Sequence, residues 1–325
     1  MVISAKTVNG HDGWRVVFAI HPVRGLYAGH ENRFADHGDI GQERSIGRAH
    51  PPSLRVPTPS SASRRGSVGG QSYGGLMSDS AALPAISWAS PIGVFDLETT
   101  GVDVSTDRIV TAHVGVLDAN GLVLESKNWL ANPGIPIPEQ ATAVHGISTE
   151  RARLHGHLAS AVVRDVTEEL RRLFQQGIPV VAFNANYDFS LLLAECHRHG
   201  VDPISDPPPV IDPLVMDKAF DRYRRGKRRL TDVAEHYGVA LENAHDAAAD
   251  ARAAGRVAQA IAREYSSLMP GTARELHTRQ IAWARSQAAS LTDYFIRIGR
   301  LDADEVLDGS WPVRSGVVDA QRSPA

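Results

Sequence analysis

Three apolar runs between residues 92 and 130 have the length and spacing of consecutive β-strands. They cover residues 92–97, 109–117 and 122–130. Gly101 marks a turn after the first run, and Asn120-Gly121, a strong signal for a tight hairpin, precedes the third. The pattern therefore predicts three antiparallel strands at the start of a sheet.

After residue 132 the apolar period changes from that of strands to that of helices. Val163, Val166, Leu170 and Leu173 recur at three- and four-residue steps within a helix predicted over 160–176. Further helices are predicted over 187–199, 230–237, 244–265 and 273–300, and short strands over 180–183 and 210–211. Strands followed by alternating helices and strands predict an α/β fold with a mixed sheet and helices packed on it.

The domain organisation is predicted from where these patterns begin and end. Residues 1–84 contain few sustained apolar patterns, and 51–75 are dominated by Pro, Ser, Arg and Gly. Such a segment buries too little surface to offset its ordering entropy, so 1–84 is predicted to be a disordered extension. Alternatively the start is misassigned and translation begins at Met77. Residues 85–265 are predicted to form the main domain, and 266–325 a helical appendage.

Composition narrows the class of protein. The chain is 42% hydrophobic and 22% charged over 325 residues, which is typical of a globular protein. It has no membrane-length apolar run and no secretory signal, and Cys196 is its single cysteine, so we expect a cytoplasmic protein. The net charge of −3 does not favour a polyanionic partner, so any such binding depends on local patches.

Four acidic residues lie at the ends of predicted elements. Asp96 and Glu98 alternate at the end of the first strand, so both point to one side of the sheet, where they repel unless a cation joins them. Asp188 follows the strand 180–183, and Asp250 lies in the first turns of the helix 244–265. Each has an ordinary alternative, because strand ends are solvated and acids favour helix N-termini.

His245 lies five residues before Asp250, at the predicted start of the helix. Five residues are about 140° of rotation, so the two side chains flank a site without sharing one stripe. Asn243 is predicted to cap this helix, with Asp246 completing a capping box. The small residues at 247–249 would let the helix approach the sheet closely.

Four stretches together carry a family resemblance. They are FDLETTG (95–101), VHGIS (144–148, in a loop between the third strand and the first helix), FNANYDFSLLLAE (183–195) and HDAAADA (245–251). Their order and spacing resemble the DEDDh 3'-to-5' exonucleases, the family that includes the proofreading epsilon subunit of bacterial DNA polymerase III and, more distantly, ribonuclease T. The resemblance covers about residues 90–265.

The resemblance implies a ribonuclease H-like fold and a two-metal site. Asp96, Glu98 and Asp250 would hold one Mg²⁺ or Mn²⁺, with Asp96 bridging to a second ion that Asp188 supports through water. His245 would act as the general base on the attacking water, since an imidazole accepts a proton near neutral pH. Hard divalent cations prefer carboxylate oxygens, which agrees with this ligand set.

Substrate contacts are also implied by the resemblance. Leu97, Thr99, His145 and Asn184 would hold the terminal nucleotide, and Phe189 would either stack on it or belong to the core. The expected partners are single-stranded 3' ends, with DNA favoured, and a DNA polymerase as a possible companion subunit. The alternatives are a 3'-to-5' exoribonuclease of the oligoribonuclease or ribonuclease T type, and a nucleic-acid-binding protein that has lost catalysis.

A basic segment precedes the helix predicted over 230–237. It contains six cationic residues, namely Arg222, Arg224, Arg225, Lys227, Arg228 and Arg229. Such a cluster predicts either salt-sensitive contacts with backbone phosphates or an ordinary solvated loop.

Overall fold

A computed structural model describes residues 2–10, 13–21, 86–204, 209–241 and 244–319 of the chain. Its strands are β1 (Val2–Gly10), β2 (Gly13–His21), β3 (Ile92–Thr99), β4 (Ile109–Leu117), β5 (Val123–Asn132), β6 (His157–Leu158), β7 (Val180–Val181) and β8 (Val210–Ile211). Its α-helices are α1 (Glu139–His145), α2 (Thr149–His155), α3 (Ala159–Gln175), α4 (Ala185–His199), α5 (Pro213–Phe220), α6 (Leu230–His236), α7 (Ala247–Glu264), α8 (Ala273–Arg297) and α9 (Ser315–Asp319).

Six strands form one mixed sheet in the order β6-β5-β4-β3-β7-β8. Strand β4 runs antiparallel to β3 and β5, whereas β7 is parallel to β3 and to β8. The predicted α/β fold, a mixed sheet with three antiparallel strands followed by alternating helices and strands, is confirmed.

Strands β1 and β2 form a separate antiparallel pair within the predicted extension 1–84. The composition of this region does not predict the hairpin, which differs from the expected disorder. Most of the extension, including Met77, lies outside the described residues, so its proposed status stays a prediction.

The two faces of β3 pack against different helices. Ile92 and Val94 belong to a buried cluster with residues of α7, whereas Phe95 and Leu97 belong to a second cluster with residues of α3 and α4. Side chains alternate along a strand, so residues 96 and 98 lie on the face that α7 covers. The carboxylates of β3 are therefore directed toward the helix that carries Asp250.

Helix α7 reaches the sheet closely because small residues line its contact face. Ala251, Ala254 and Ala258 are at most 1% exposed. At Gly255 an added Cβ would lie 2.5 Å from Cγ1 of Val94 and 2.7 Å from Cδ1 of Leu117, so the helix backbone lies against the sheet side chains.

The region predicted as an appendage, 266–325, contributes to the same core. Leu276 and Gln280 of α8 are fully buried, and Trp311 is 6% exposed within the cluster that contains Phe95. Among the described residues, none of the helices is both long and apolar enough to cross a bilayer.

Four short α-helices, α1, α2, α5 and α9, were not predicted, because five to eight residues give too few periodic positions to recognise. The VHGIS stretch, predicted as a loop before the first helix, contains the last two residues of α1 and the connection from α1 to α2. Gly146 ends α1 in the left-handed region (φ 74°), and the Ser148 side chain caps α2 by accepting from the Arg151 N–H. Helix α5 also follows a capping residue, Asp212.

Replacing Gly255 with alanine should destabilise the fold, because the added methyl group overlaps side chains of β3 and β4. We expect a loss of about 1–3 kcal/mol in the free energy of unfolding, measured by denaturant titration. Gly271→Ala is the matched control, since a Cβ there meets no atom within 4 Å. Equal stabilities for the two variants would contradict the proposed close packing.

Candidate active site

Three elements bring the four predicted acids together. Asp96 and Glu98 lie at the end of β3, Asp188 in the first turn of α4, and Asp250 in the first turn of α7. Oδ1 of Asp188 accepts a hydrogen bond of 3.2 Å from the backbone N–H of Leu97. This bond fastens the start of α4 to the strand between the two β3 carboxylates.

The electrostatics of the group reflect burial and mutual repulsion. Burial raises the pKa of Asp96 well above its ordinary value, and the charges of Asp188, Glu98 and Asp250 raise it further. Burial, with Asp250 and Asp188, raises the pKa of Glu98 to about 8. The pKa values of Asp188 and Asp250 are also raised, mainly by burial. The site is therefore unfavourable for four ionised carboxylates without a cation.

His245 lies just before α7, not inside it as the sequence predicted. Its φ of 74° is left-handed, and the N-cap is Asp246, whose side chain accepts from the Ala249 N–H at 2.9 Å. The predicted cap Asn243 falls outside the described residues. The His245 N–H donates to Oδ2 of Asp250 at 3.2 Å, so the turn orients both residues.

The ring of His245 lies at the acid cluster. One of its nitrogens, a carboxylate oxygen of Glu98 and one of Asp250 all lie within 4.8 Å of one another. Oδ1 of Asp250 is buried and has no hydrogen-bond partner among the described residues. A buried carboxylate oxygen needs a partner, and an oxygen-preferring divalent cation would satisfy it. The donor set thus fits a hard metal ion.

An open cleft of about 420 Å³ borders this cluster. Glu98, His145, His245, Trp129 and Arg151 are among the residues that line it. Burial lowers the pKa of His145, whose Nδ1 accepts from the Ile147 N–H at 3.1 Å. The cleft has room for a nucleotide next to the carboxylates.

The other residues predicted to contact the nucleotide have different surroundings. Leu97 and Thr99 are buried, and the Thr99 hydroxyl donates to the Gly101 carbonyl at 2.6 Å. Asn184 is exposed and adopts a left-handed conformation (φ 63°, ψ 44°) immediately before α4. A strained residue of this kind at a helix start is common in ligand sites.

Phe189 does not face the site. It is 4% exposed and packs edge-to-face on Phe95 with ring centroids 5.4 Å apart. Of its two predicted roles, the structure supports the one in the core. A ring in this position cannot stack on a bound base.

Sequence reasoning missed Asp212, which fixes the entry into α4. Its buried carboxylate accepts from the N–H groups of Asn184 and Ala185, both at 3.0 Å, and from Leu214 at 2.9 Å. The available signal was Asp212-Pro213, an N-cap followed by proline at the first helical position.

Three of the six cations in the basic segment form ion pairs within the protein. Arg224 and Arg228 both bind the carboxylate of Asp217, whose side chain is fully buried, and Arg229 binds Asp232 at 2.8 Å. Three other cations of the segment are exposed and form no salt bridge within the part of the chain that the structure describes, namely Arg222, Arg225 and Lys227. Only these three remain available to phosphates.

The structure has a mixed sheet with a carboxylate cluster at the end of one strand, and sequence comparison shows the family to which the chain belongs. The family description "Exonuclease" matches residues 94–258, half of the chain, so the chain belongs to the exonuclease family. All four acids and His245 lie inside the match. The chain is thus a member of a nuclease family.

Individual relatives agree with this assignment. The DNA polymerase III PolC-type of Pediococcus pentosaceus is 27% identical over 164 residues, covering 50% of this chain and 11% of that protein. The PolC-type polymerase of Streptococcus suis is 31% identical over 166 residues, covering 50% and 10%. The chain therefore spans about a tenth of the length of the curated relatives it matches.

Solved structures of E. coli Exonuclease I are also similar. The one in complex with a dA16 oligonucleotide has a TM-score of 0.48 and 21% sequence identity, covering 55% of this chain and 42% of that chain.

In metal-free protein, ionisation of Glu98 should lower the free energy of unfolding as the pH rises. Its pKa increases from 4.5 to about 8 on folding, so between these values the folded state binds a proton that the unfolded state releases. The melting temperature of EDTA-treated wild type, relative to Glu98→Gln, should therefore fall from pH 5 to pH 8.

Added Mn²⁺ should oppose this loss, because a cation favours the ionised carboxylates. We expect Mn²⁺ to raise the melting temperature more at pH 8 than at pH 5. A wild type that gains stability over Glu98→Gln between these pH values, without metal, would contradict the described repulsion.

Proposed function

We propose that this chain is a metal-dependent 3'-to-5' exonuclease of the DEDDh type that releases nucleoside monophosphates from DNA. The observation that carries the proposal is the convergence of four carboxylates and His245 beside an open cleft, with Oδ1 of Asp250 unpartnered among the described residues. Asp96, Glu98, Asp188 and Asp250 would hold two Mg²⁺ or Mn²⁺. Bound divalent ions stabilise charge on the attacking and leaving oxygens of a phosphodiester.

The chain's own residues then supply orientation and proton transfer. His245 lies on the rim of the cleft, with its backbone N–H held by Asp250, so its ring can take a proton from a water that approaches the terminal phosphodiester. Asp188 accepts a hydrogen bond from the Leu97 N–H, which holds the start of α4 against β3 at the site. His145, on the same cleft, would contact the terminal nucleotide.

DNA is the proposed substrate because the matched relatives are named as DNA polymerase III proteins. Association with a DNA polymerase, as a proofreading activity, is proposed on the same ground. An inactive nucleic-acid-binding protein is disfavoured, since it would not need every acid of the set together with His245.

The direct test is incubation of purified protein with 5'-labelled single-stranded DNA and RNA, with Mg²⁺, with Mn²⁺ and with EDTA. We expect stepwise shortening of DNA from the 3' end that EDTA abolishes. Faster shortening of RNA would assign the exoribonuclease alternative, and no cleavage of either strand under any condition would refute the proposal.

The metal ligands should lose metal and activity together. Asp96→Asn and Asp250→Asn replace a charged oxygen ligand with an amide, which removes much of the attraction for a hard cation. We expect both variants to lose turnover and to bind Mn²⁺ weakly in calorimetric titration. Tight Mn²⁺ binding by either variant would remove that residue from the ligand set.

His245→Ala should behave differently, because the proposed role of His245 is proton transfer. It should bind Mn²⁺ nearly as wild type does while the single-turnover rate falls by about 10² to 10⁴. The histidine limb of its pH–rate profile should also disappear. If this variant instead loses metal as completely as Asp96→Asn, His245 is a ligand and the DEDDh assignment is wrong.

The exposed part of the basic segment should contribute to strand binding. Each neutralised phosphate adds about 0.7 to the slope of log K against log salt for single strands. Arg222→Glu with Arg225→Glu should therefore reduce that slope by about 1.4, measured by fluorescence anisotropy with single-stranded DNA. Arg274→Glu with Arg300→Glu, two exposed positions elsewhere, is the control. An equal slope for both pairs would make the segment a solvated loop.

A further inference from the structure

The first turn of α4 is held from the C-terminal region of the chain as well as from the sheet. Residues 310–314, here called the C-terminal strap, lie beyond the range 94–258 that matches the exonuclease family. Trp311 of the strap is 6% exposed, and its Nε1 donates to the carboxylate of Asp212 at 3.3 Å. Asp212 in turn holds the two N–H groups at the start of α4.

The strap also occupies both polar atoms of the Asn186 side chain. Nδ2 of Asn186 donates to the Ser310 carbonyl at 2.6 Å, and its Oδ1 accepts from Nε of Arg314 at 2.8 Å. The backbone N–H of Arg314 donates to the Ser190 hydroxyl at 2.9 Å. Three hydrogen bonds therefore connect two strap residues, Ser310 and Arg314, to Asn186 and Ser190 in the first half of α4.

Arg314 is also connected to the end of β3 by contacts through Tyr187. Its guanidinium lies over the Tyr187 ring, 5.9 Å from the centroid. The Tyr187 hydroxyl lies 2.7 Å from that of Thr99 and donates to the Gly101 carbonyl at 2.5 Å. Arg314 therefore contacts Asn186 and Tyr187, which precede Asp188, and Ser190, which follows it.

We propose that the strap is part of the exonuclease site and that Arg314 is a positioning residue, acting through Asn186 and Tyr187 on the placement of Asp188 and Thr99. The inference rests on the proposed function for its catalytic consequence. Buried groups in fixed rotamers hold a site to within fractions of an ångström, and small displacements of such groups cost large factors in rate. The strap supplies that constraint from outside the family's matched range.

The test compares Arg314→Ala, Arg314→Lys and Asn186→Ala in the full chain, with Arg300→Ala as an exposed control in the same region. We expect Arg314→Ala to lower kcat on single-stranded DNA by about 10- to 100-fold, with KM changed less than about twofold. Arg314→Lys should recover part of the loss, because an ammonium can donate to Oδ1 of Asn186. Melting temperatures should stay close to wild type.

A double-mutant comparison tests the route of the effect. Because Arg314 acts partly through Asn186, the rate loss of the variant carrying both alanines should be smaller than the product of the two single losses. Independent losses that multiply would overturn the proposed route, and a wild-type kcat in Arg314→Ala would overturn the positioning role.

Hydrogen exchange separates this inference from the proposed function. In Arg314→Ala, backbone amides of residues 185–190 should exchange faster than in wild type, while those of α3 do not change. This readout holds whether or not DNA is cleaved. Inactive wild type would refute the exonuclease proposal alone, whereas unchanged exchange at 185–190 would refute the strap's role alone.

Discussion

Repulsion among four carboxylates at the end of β3 is the constraint on which the rest of this structure depends. Burial and neighbouring charges raise the pKa values of all four acids, so the arrangement costs free energy in the absence of a cation. A site of this kind persists only when the scaffold overdetermines its geometry. The scaffold does so with backbone hydrogen bonds to Asp188 and Asp250 and with close packing of α7 on the sheet.

The position of β3 explains why the acids meet there. It is central in the sheet, with β4 antiparallel on one side and β7 parallel on the other. Helix α4 follows β7 directly, so its first turn lies beside the end of β3. Helix α7 crosses the face to which residues 96 and 98 point. Three separate segments thus meet at one point.

Much of this arrangement was predictable from local sequence patterns. Alternation along an apolar strand placed Asp96 and Glu98 on one face, and the family resemblance implied that Asp188 and Asp250 belong to the same site. His245 was assigned to a helix because an Asp-Ala-Ala-Ala stretch follows it. The left-handed φ of His245 and the capping by Asp246 depend on turn geometry that residue periodicity does not encode.

Other features depended on contacts between residues distant in sequence. Phe189 packs on Phe95, more than ninety positions away along the chain, so its core role followed from tertiary packing alone. Asp212 carried a capping signal, but its bonds to Asn184 and Ala185 required the parallel pairing of β7 and β8. Local patterns therefore gave the elements and the acids, whereas the supports of the acids came from topology.

The C-terminal region has a role that follows from the edge of the sheet. Strand β8 is an edge strand, and exposed edges leave backbone groups unpaired. Helix α8 covers this edge with side chains: Nε2 of Gln280 donates to the Val210 carbonyl at 3.0 Å, its Oε1 accepts from the Asp212 N–H at 2.7 Å, and His277 accepts from the Val210 N–H at 3.1 Å. The same bonds fix Asp212, which fixes the start of α4. The side chains that cover the edge therefore also support the acid site, and this explains why Leu276, Gln280 and Trp311 are buried although they lie outside the family's matched range.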